Sequence, residues 1–361
     1  MPLPEDYTNF TTPTGALWEL PATGPRGLNT IMAQINAATA ALANGVFANG
    51  GVFGAIAAAP TGNATTDTAA ITAAHTALPS GGGTILLQPG IYVISGAGVT
   101  FSKPTQLMGM GGKSNVGGTS LISASSSATI LTLTGGGHSV ENVMVAIDGS
   151  VVPTAGYGIK CTDSTNLRID NVWFYNLYDC LRLENTGIGA YWGVHRCFFE
   201  APVRYGVFFS NTPHPDTGDG VVSSCFFDAQ GAATRNPTSA LRWESGGGFR
   251  VQNCKINGGS GGKFVTGVDV NMTVNQATAD IYVQNCSIEN IVGDGIWVRA
   301  TTGSIWGVLI TANEFMASNK AVRIGAGISG CLVDSCIGNG SGATDFTAAS
   351  PAPTVGTNVW N

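Results

Sequence analysis

Glu184, Glu244 and Asp269 fall on successive or alternate turns of one repeating sequence pattern, each beside an arginine of its own turn or the next. Paired carboxylates carry out proton transfer. If the turns are strands stacked at about 4.8 Å, Glu184 and Glu244 stand about 9.6 Å apart, and Glu244 and Asp269 about 8 Å apart on the diagonal. Both spacings lie near the roughly 6.5–9.5 Å in which an inverting glycosidase seats its water. Arg182, Phe208, Arg242, Trp297 and Arg299 share the ribbon. Guanidinium groups and carboxylates bond sugar hydroxyls, and aromatic faces carry pyranose rings. The catalytic candidates, if the protein is an enzyme, are therefore Glu184, Glu244 and Asp269. The carbohydrate-binding candidates are Arg182, Phe208, Arg242, Trp297 and Arg299. The plain alternative is a solvated face tied by ion pairs such as Arg182 with Glu184 or Arg242 with Asp269. Phe208 and Trp297, read as exposed, argue for a ligand.

Other chemistry is thinly represented. Asp216 and Asp219 in "NTPHPDTGDG" are two carboxylates in a Gly/Pro loop, a pattern that is more often a turn than a cation site. His75 falls on a predicted helix, His138 beside a Gly-rich turn and His195 at a corner, so none is placed as an obvious base. The eight cysteines include no C-x-x-C, so they read as small apolar core residues without disulfides. The sequence calls for no metal and no cofactor.

The elements that must position the ribbon follow from those cysteines. Cys197, Cys225, Cys254, Cys286 and Cys336 sit in the phrases "HRCFF", "SSCFF", "QNCKI", "QNCSI" and "DSCIG", with "ANEFM" filling a skipped rung and "DNVWF" and "ENVMV" extending the series backwards. Self-similarity at 20 to 50 residues marks a solenoid. In "LRIDNVWFYNLYDCLRLEN", three short alternating runs are separated by a corner at Asp170 and Asn171 and by a loop, which predicts three strands per coil. Stacking then places Val145, Phe174, Phe199, Phe227, Ile256 and Ile288 in one interior column and the cysteines in the next. The corner column reads Asn142, Asn171, Arg196, Ser224, Asn253, Asn285, Asn313 and Ser335, suited to left-handed backbone. Glu314 misfits: either its strand shifts and buries Phe315, or a carboxylate lies inside.

Composition bounds the partners. Charged residues are 11% of 361 and glycines number 51, a turn-rich β composition. A net charge of -6 without a basic run argues against nucleic acid. No apolar run reaches the roughly 18 residues of a membrane span, and the N-terminus reads as no cleaved export signal.

The stretch "TGNATTDTAAITAAHTALPSGGGTILLQPGIYVISG", a polar start, a helix through Thr68 to Leu78 and a Gly-rich hinge into strands, resembles the N-terminal signature of the pectate-lyase-like superfamily. That resemblance implies a single right-handed parallel β-helix, all-β with eight or more coils, of the phage tailspike or tail-fibre type. It also implies a helix lidding the first coil, with Asp67 as N-cap and Ile71, Ala74 and Leu78 facing the core. The chain divides into an N-terminal arm (1–60), the β-helix (61–340, with the capping helix at 61–80) and a C-terminal capping tail (341–361) in which Trp360 is an anchor. In the arm, Leu28, Ile31, Ile35, Ala38 and Leu42 have heptad spacing, suited either to a homotrimeric seam or to packing on the β-helix. The motifs of polygalacturonase-like relatives are absent.

Two functions of different class follow. One is a phage virion protein, a tail spike, fibre or minor tail component, in contact with other virion proteins and binding host cell-surface polysaccharide. The other is a polysaccharide depolymerase, hydrolase or lyase, on the same scaffold.

Overall fold

The computed structural model describes residues 46–49, 52–111, 117–184, 190–210, 218–230, 235–259, 262–273, 277–316, 319–339, 344–346 and 353–360. The heptad segment 28–42 and Asp216 lie outside the described residues. Each coil contributes one strand to each of three sheets, as in Leu167–Asp170, Trp173–Tyr175 and Asp179–Glu184. In that order these are sheet A with 13 strands, sheet B with 11 and sheet C with nine among the described residues. Every pairing in them is parallel apart from a hairpin of Val46–Asn49 with Val52–Ile56, which extends the first edge of sheet A. The protein is an all-β parallel β-helix.

Side-chain alternation sets the register. Phe174, Phe199 and Phe227 stack in the core with ring centroids 4.8 and 4.5 Å apart and planes within 4°. The shared corner has one backbone solution: Asn142, Asn171, Arg196, Ser224, Asn253, Asn285, Ala312 and Ser335 all have φ between 52° and 57°. Asparagine tolerates this left-handed geometry, and its amide bonds along the stack, Asn171 Nδ2 donating to Asn142 Oδ1 at 2.8 Å. One corner assignment is corrected. Ala312 makes the turn, and Asn313 falls one place further on, in the cysteine column.

There the buried Asn313 amide accepts from the Cys286 backbone N–H at 2.9 Å and donates to the Val283 carbonyl at 2.9 Å. Asn358 repeats the arrangement against Cys336 and Val333. The shift buries Phe315 and turns Glu314 outward, so no carboxylate enters the core at that rung. All eight cysteines are buried free thiols. Burial pushes the Cys331 thiol up to about 12 and the Cys225 thiol upward as well.

The helix covering the first coil spans Ala64–Ala77 and buries Ile71 and Ala74, with Leu78 buried just beyond its end. It starts earlier than the sequence suggests, and its N-cap is Asn63, whose Oδ1 accepts from the Thr65 and Thr66 N–H groups. Asp67 has a different task. Fully buried, it accepts from the backbone of Thr61, Gly62 and Val93 and from the Thr61 hydroxyl, tying the helix to sheet B. Burial alone would raise its pKa; those four donors hold it below the ordinary range. At the other end, Thr354–Val355 and Val359–Trp360 add to sheets A and B, and Trp360 packs on Phe315 at 6.3 Å. Among the described residues no helix is long and apolar enough to cross a membrane.

Candidate functional site

The outward face of sheet C carries the predicted ribbon in register. Lys160, Arg182, Phe208, Arg242, Asp269, Trp297 and Arg323 are consecutive partners across seven strands. Glu184 and Arg299 stand beside them, opposite Thr162 and Asn271 respectively. The alternation that sends Leu181, Leu183, Leu241 and Trp243 inward turns these residues out.

Outward does not mean free. Glu184 bonds Lys160 Nζ at 2.8 Å and also pairs with Arg182 Nε. Arg242 donates to Glu244 through Nε at 3.0 Å and Nη2 at 2.9 Å, while its Nη1 pairs with Asp269. Arg299 Nη1 reaches the other oxygen of Asp269 at 2.6 Å. The ladder is a chain of shared ions, with each carboxylate fixed by one or two cations of its own or an adjacent coil. The ion pairs anticipated for a solvated face, Arg182 with Glu184 and Arg242 with Asp269, are both present.

One expectation is corrected. Phe208 is not an open plate: it is 6% exposed, because the Arg182 guanidinium lies 4.5 Å from its ring centroid and Tyr205 packs at 4.6 Å. Trp297 is half-buried, with the guanidinium carbon of Arg299 3.4 Å and that of Arg323 4.9 Å from its centroid. Arginines therefore cover both aromatic rings.

Protonation separates the carboxylates. Burial would raise Glu184, but Lys160 and Arg182 hold it below the ordinary carboxylate range. Sequence reading missed two acidic residues of this face, three places ahead of the main column. Asp179 is fully buried and gripped by Arg204 Nε at 2.8 Å, a pairing that raises the Arg204 guanidinium further. Asp294 is 5% exposed; its Oδ2 accepts from Arg323 at 3.3 Å, and its buried Oδ1 has no hydrogen-bond partner among the described residues. Burial pushes both Asp179 and Asp294 up. The two are four coils apart, about 19 Å, too far to share one glycosidic bond. The signal for both was the first position of the sheet C strands, where Tyr157, Asp179 and Tyr205 are also in register.

No protein-family model and no curated protein matches the sequence. Solved structures share the fold. The tailspike of E. coli bacteriophage HK620, solved with a pentasaccharide, matches at TM-score 0.53 and 14% identity over 84% of this chain and 63% of that one. Tailspike protein 2 of Escherichia coli O157:H7 bacteriophage CAB120 matches at 0.53 and 12% over 83% of this chain and 39% of its own. An alginate lyase from Paenibacillus sp. matches at 0.48 and 11% over 80% and 95%. This chain spans under two thirds of the length of either tailspike.

Proposed function

We propose that this protein is a β-helical appendage of a phage tail that binds host cell-surface polysaccharide along the outer face of sheet C. The observation that carries the reading is the concentration of charge. Lys160, Arg182, Arg204, Arg242, Arg299 and Arg323 are six of the chain's 16 basic residues, and they line one face, held by Glu184 and Glu244 and by the buried Asp179, Asp269 and Asp294. Such a ladder presents fixed donors and acceptors at the strand spacing, suited to successive hydroxyls of an extended chain lying along the axis. The HK620 tailspike, of the same fold, was solved with a bound pentasaccharide. The reading places the protein in the virion, as a homotrimer joined through residues 28–42 and attached to other virion proteins. Binding of purified protein to host envelope polysaccharide, weakened by changes on sheet C and untouched by changes on sheet B, is the test.

A further inference from the structure

Sheet A carries a second constellation, on a different face from the ribbon. Asp170, His195 and Ser223 are register partners on three consecutive coils. His195 Nδ1 and Ser223 Oγ are 2.7 Å apart. With Arg168, Arg196 and Ser224 these residues line an open groove of about 440 Å³. We propose that Ser223 and His195 are a nucleophile–base pair that hydrolyses carboxylic esters.

Four features make the groove more than a polar corner. The hydroxyl and imidazole already stand at hydrogen-bond distance, as an activated serine requires. The imidazole has a prepared seat: a Cβ on Gly193 would lie 2.3 Å from His195 Nε2, so glycine there lets the ring fold back over its own strand. Two cations face the same space. Arg196 donates to Asp170 through Nε at 2.8 Å and Nη2 at 2.6 Å, and Arg168 through Nη2 at 2.5 Å. The 3% exposed carboxylate thus fixes two guanidinium groups that remain 56% and 66% exposed, with spare N–H groups for an oxyanion. Finally, burial lowers the imidazole pKa, with Arg168 and Arg196 adding to it and Asp170 opposing it, so the base is neutral at neutral pH.

The chemistry balances without a cofactor. Ser223 Oγ attacks the acyl carbon as its proton passes to His195 Nδ1, and the carbonyl electrons move onto oxygen beside the guanidinium groups. Collapse breaks the bond to the alcohol, which leaves with the proton from His195. Water then attacks the acyl-serine in the same way, releasing the carboxylic acid and restoring Ser223. An open groove admits an ester that projects from a larger molecule. The sequence held the signal: Asp170, His195 and Ser223 each stand two places before the column of Val172, Cys197 and Cys225.

Treatment of the full chain with diisopropyl fluorophosphate, followed by peptide mass spectrometry, tests the pair without knowledge of the ester. The expected result is a single adduct on Ser223, absent from Ser223→Ala and formed at least tenfold more slowly in His195→Gln. A wild type that stays unmodified at Ser223, or a His195→Gln variant that labels as fast as wild type, overturns the proposal. Ser223→Cys serves should the histidine variant fold poorly. The introduced thiol should react with iodoacetamide at neutral pH at least tenfold faster than glutathione, since an adjacent imidazole draws off its proton. An equal or slower rate overturns the proposal.

Discussion

The guanidinium carbon of Arg299 rests 3.4 Å from the centroid of the Trp297 indole, while its Nη1 holds Asp269 at 2.6 Å. The indole is thus a platform for the arginine, and on the proposed reading the arginine is what the polysaccharide meets. Trp297→Ala removes the support of Arg299 and one support of Arg323. Binding to host polysaccharide should weaken tenfold or more, as loss of an aromatic anchor typically costs about 1–2 kcal/mol. Calorimetric titration checks this, and unchanged affinity removes the ribbon's end from the site.

Asn313 tests the core. Its amide satisfies the backbone N–H of Cys286 and the carbonyl of Val283, so Asn313→Leu fills the same space but orphans both groups. The cost should be about 1–3 kcal/mol per buried group, read as a lowered denaturation midpoint. Cys254→Asp, in the same column, should cost several kcal/mol because it buries a charge without a partner. Native-state thiol reagents should leave the column unlabelled.

These positions also show what the sequence made legible. The cysteine spacing carried the coils, the three sheets and the ribbon's register, because one residue per coil reports the repeat directly. It misplaced Asn313 because asparagine suits both the left-handed corner and, as a double hydrogen-bonder, the column beside it. Alternation reported that Phe208 faces outward, but not that Tyr205 of its own strand and Arg182 of the preceding coil close over it, since those contacts depend on side-chain conformations. His195 was legible as a corner residue and illegible as a base until Ser223 was set in register beside it.

Acid should loosen the N-terminal end. His75 Nε2 accepts from the Ser102 backbone N–H at 3.1 Å, a bond that imidazolium cannot make. Burial, with help from Lys103, lowers the His75 pKa, and burial lowers His138 despite its bond to the Thr134 carbonyl. Their folded pKa values lie below the unfolded value of about 6.5. The unfolded chain therefore binds protons first, and stability falls as pH drops through that value. The melting temperature should decline from pH 7 to pH 5, less steeply in His75→Gln. An equal slope in both proteins would exclude His75 from the effect.

Assembly is addressed by Ile31→Asp combined with Ile35→Asp. Like charges at a three-fold seam should release monomers, while far-ultraviolet dichroism of the β-helix stays unchanged. Light scattering that finds wild type already monomeric at micromolar concentration leaves packing of the segment on its own chain as the better reading.

The depolymerase alternative can now be posed more sharply than the sequence allowed. A glycosidase needs one carboxyl that keeps its proton and one that has lost it. Glu184 is held ionised by Lys160 and Arg182, so it suits the second role and not the first. Asp294, raised by burial and with Oδ1 unpartnered among the described residues, suits the first, but it stands four coils, about 19 Å, from the strand of Glu184. Asp179, also raised by burial, shares the Arg182 guanidinium with Glu184 but is fully buried and closed to a sugar. The ladder thus offers Glu184 no accessible acid, and wild-type protein should release no reducing ends from host polysaccharide that it binds. Glu184→Gln, Glu244→Gln and Asp269→Asn should each alter binding through their arginines and nothing else. Reducing-end release by the wild type, abolished in one of these three variants or in Asp294→Asn with binding retained, would identify that carboxylate as catalytic and replace attachment by cleavage as the ribbon's function.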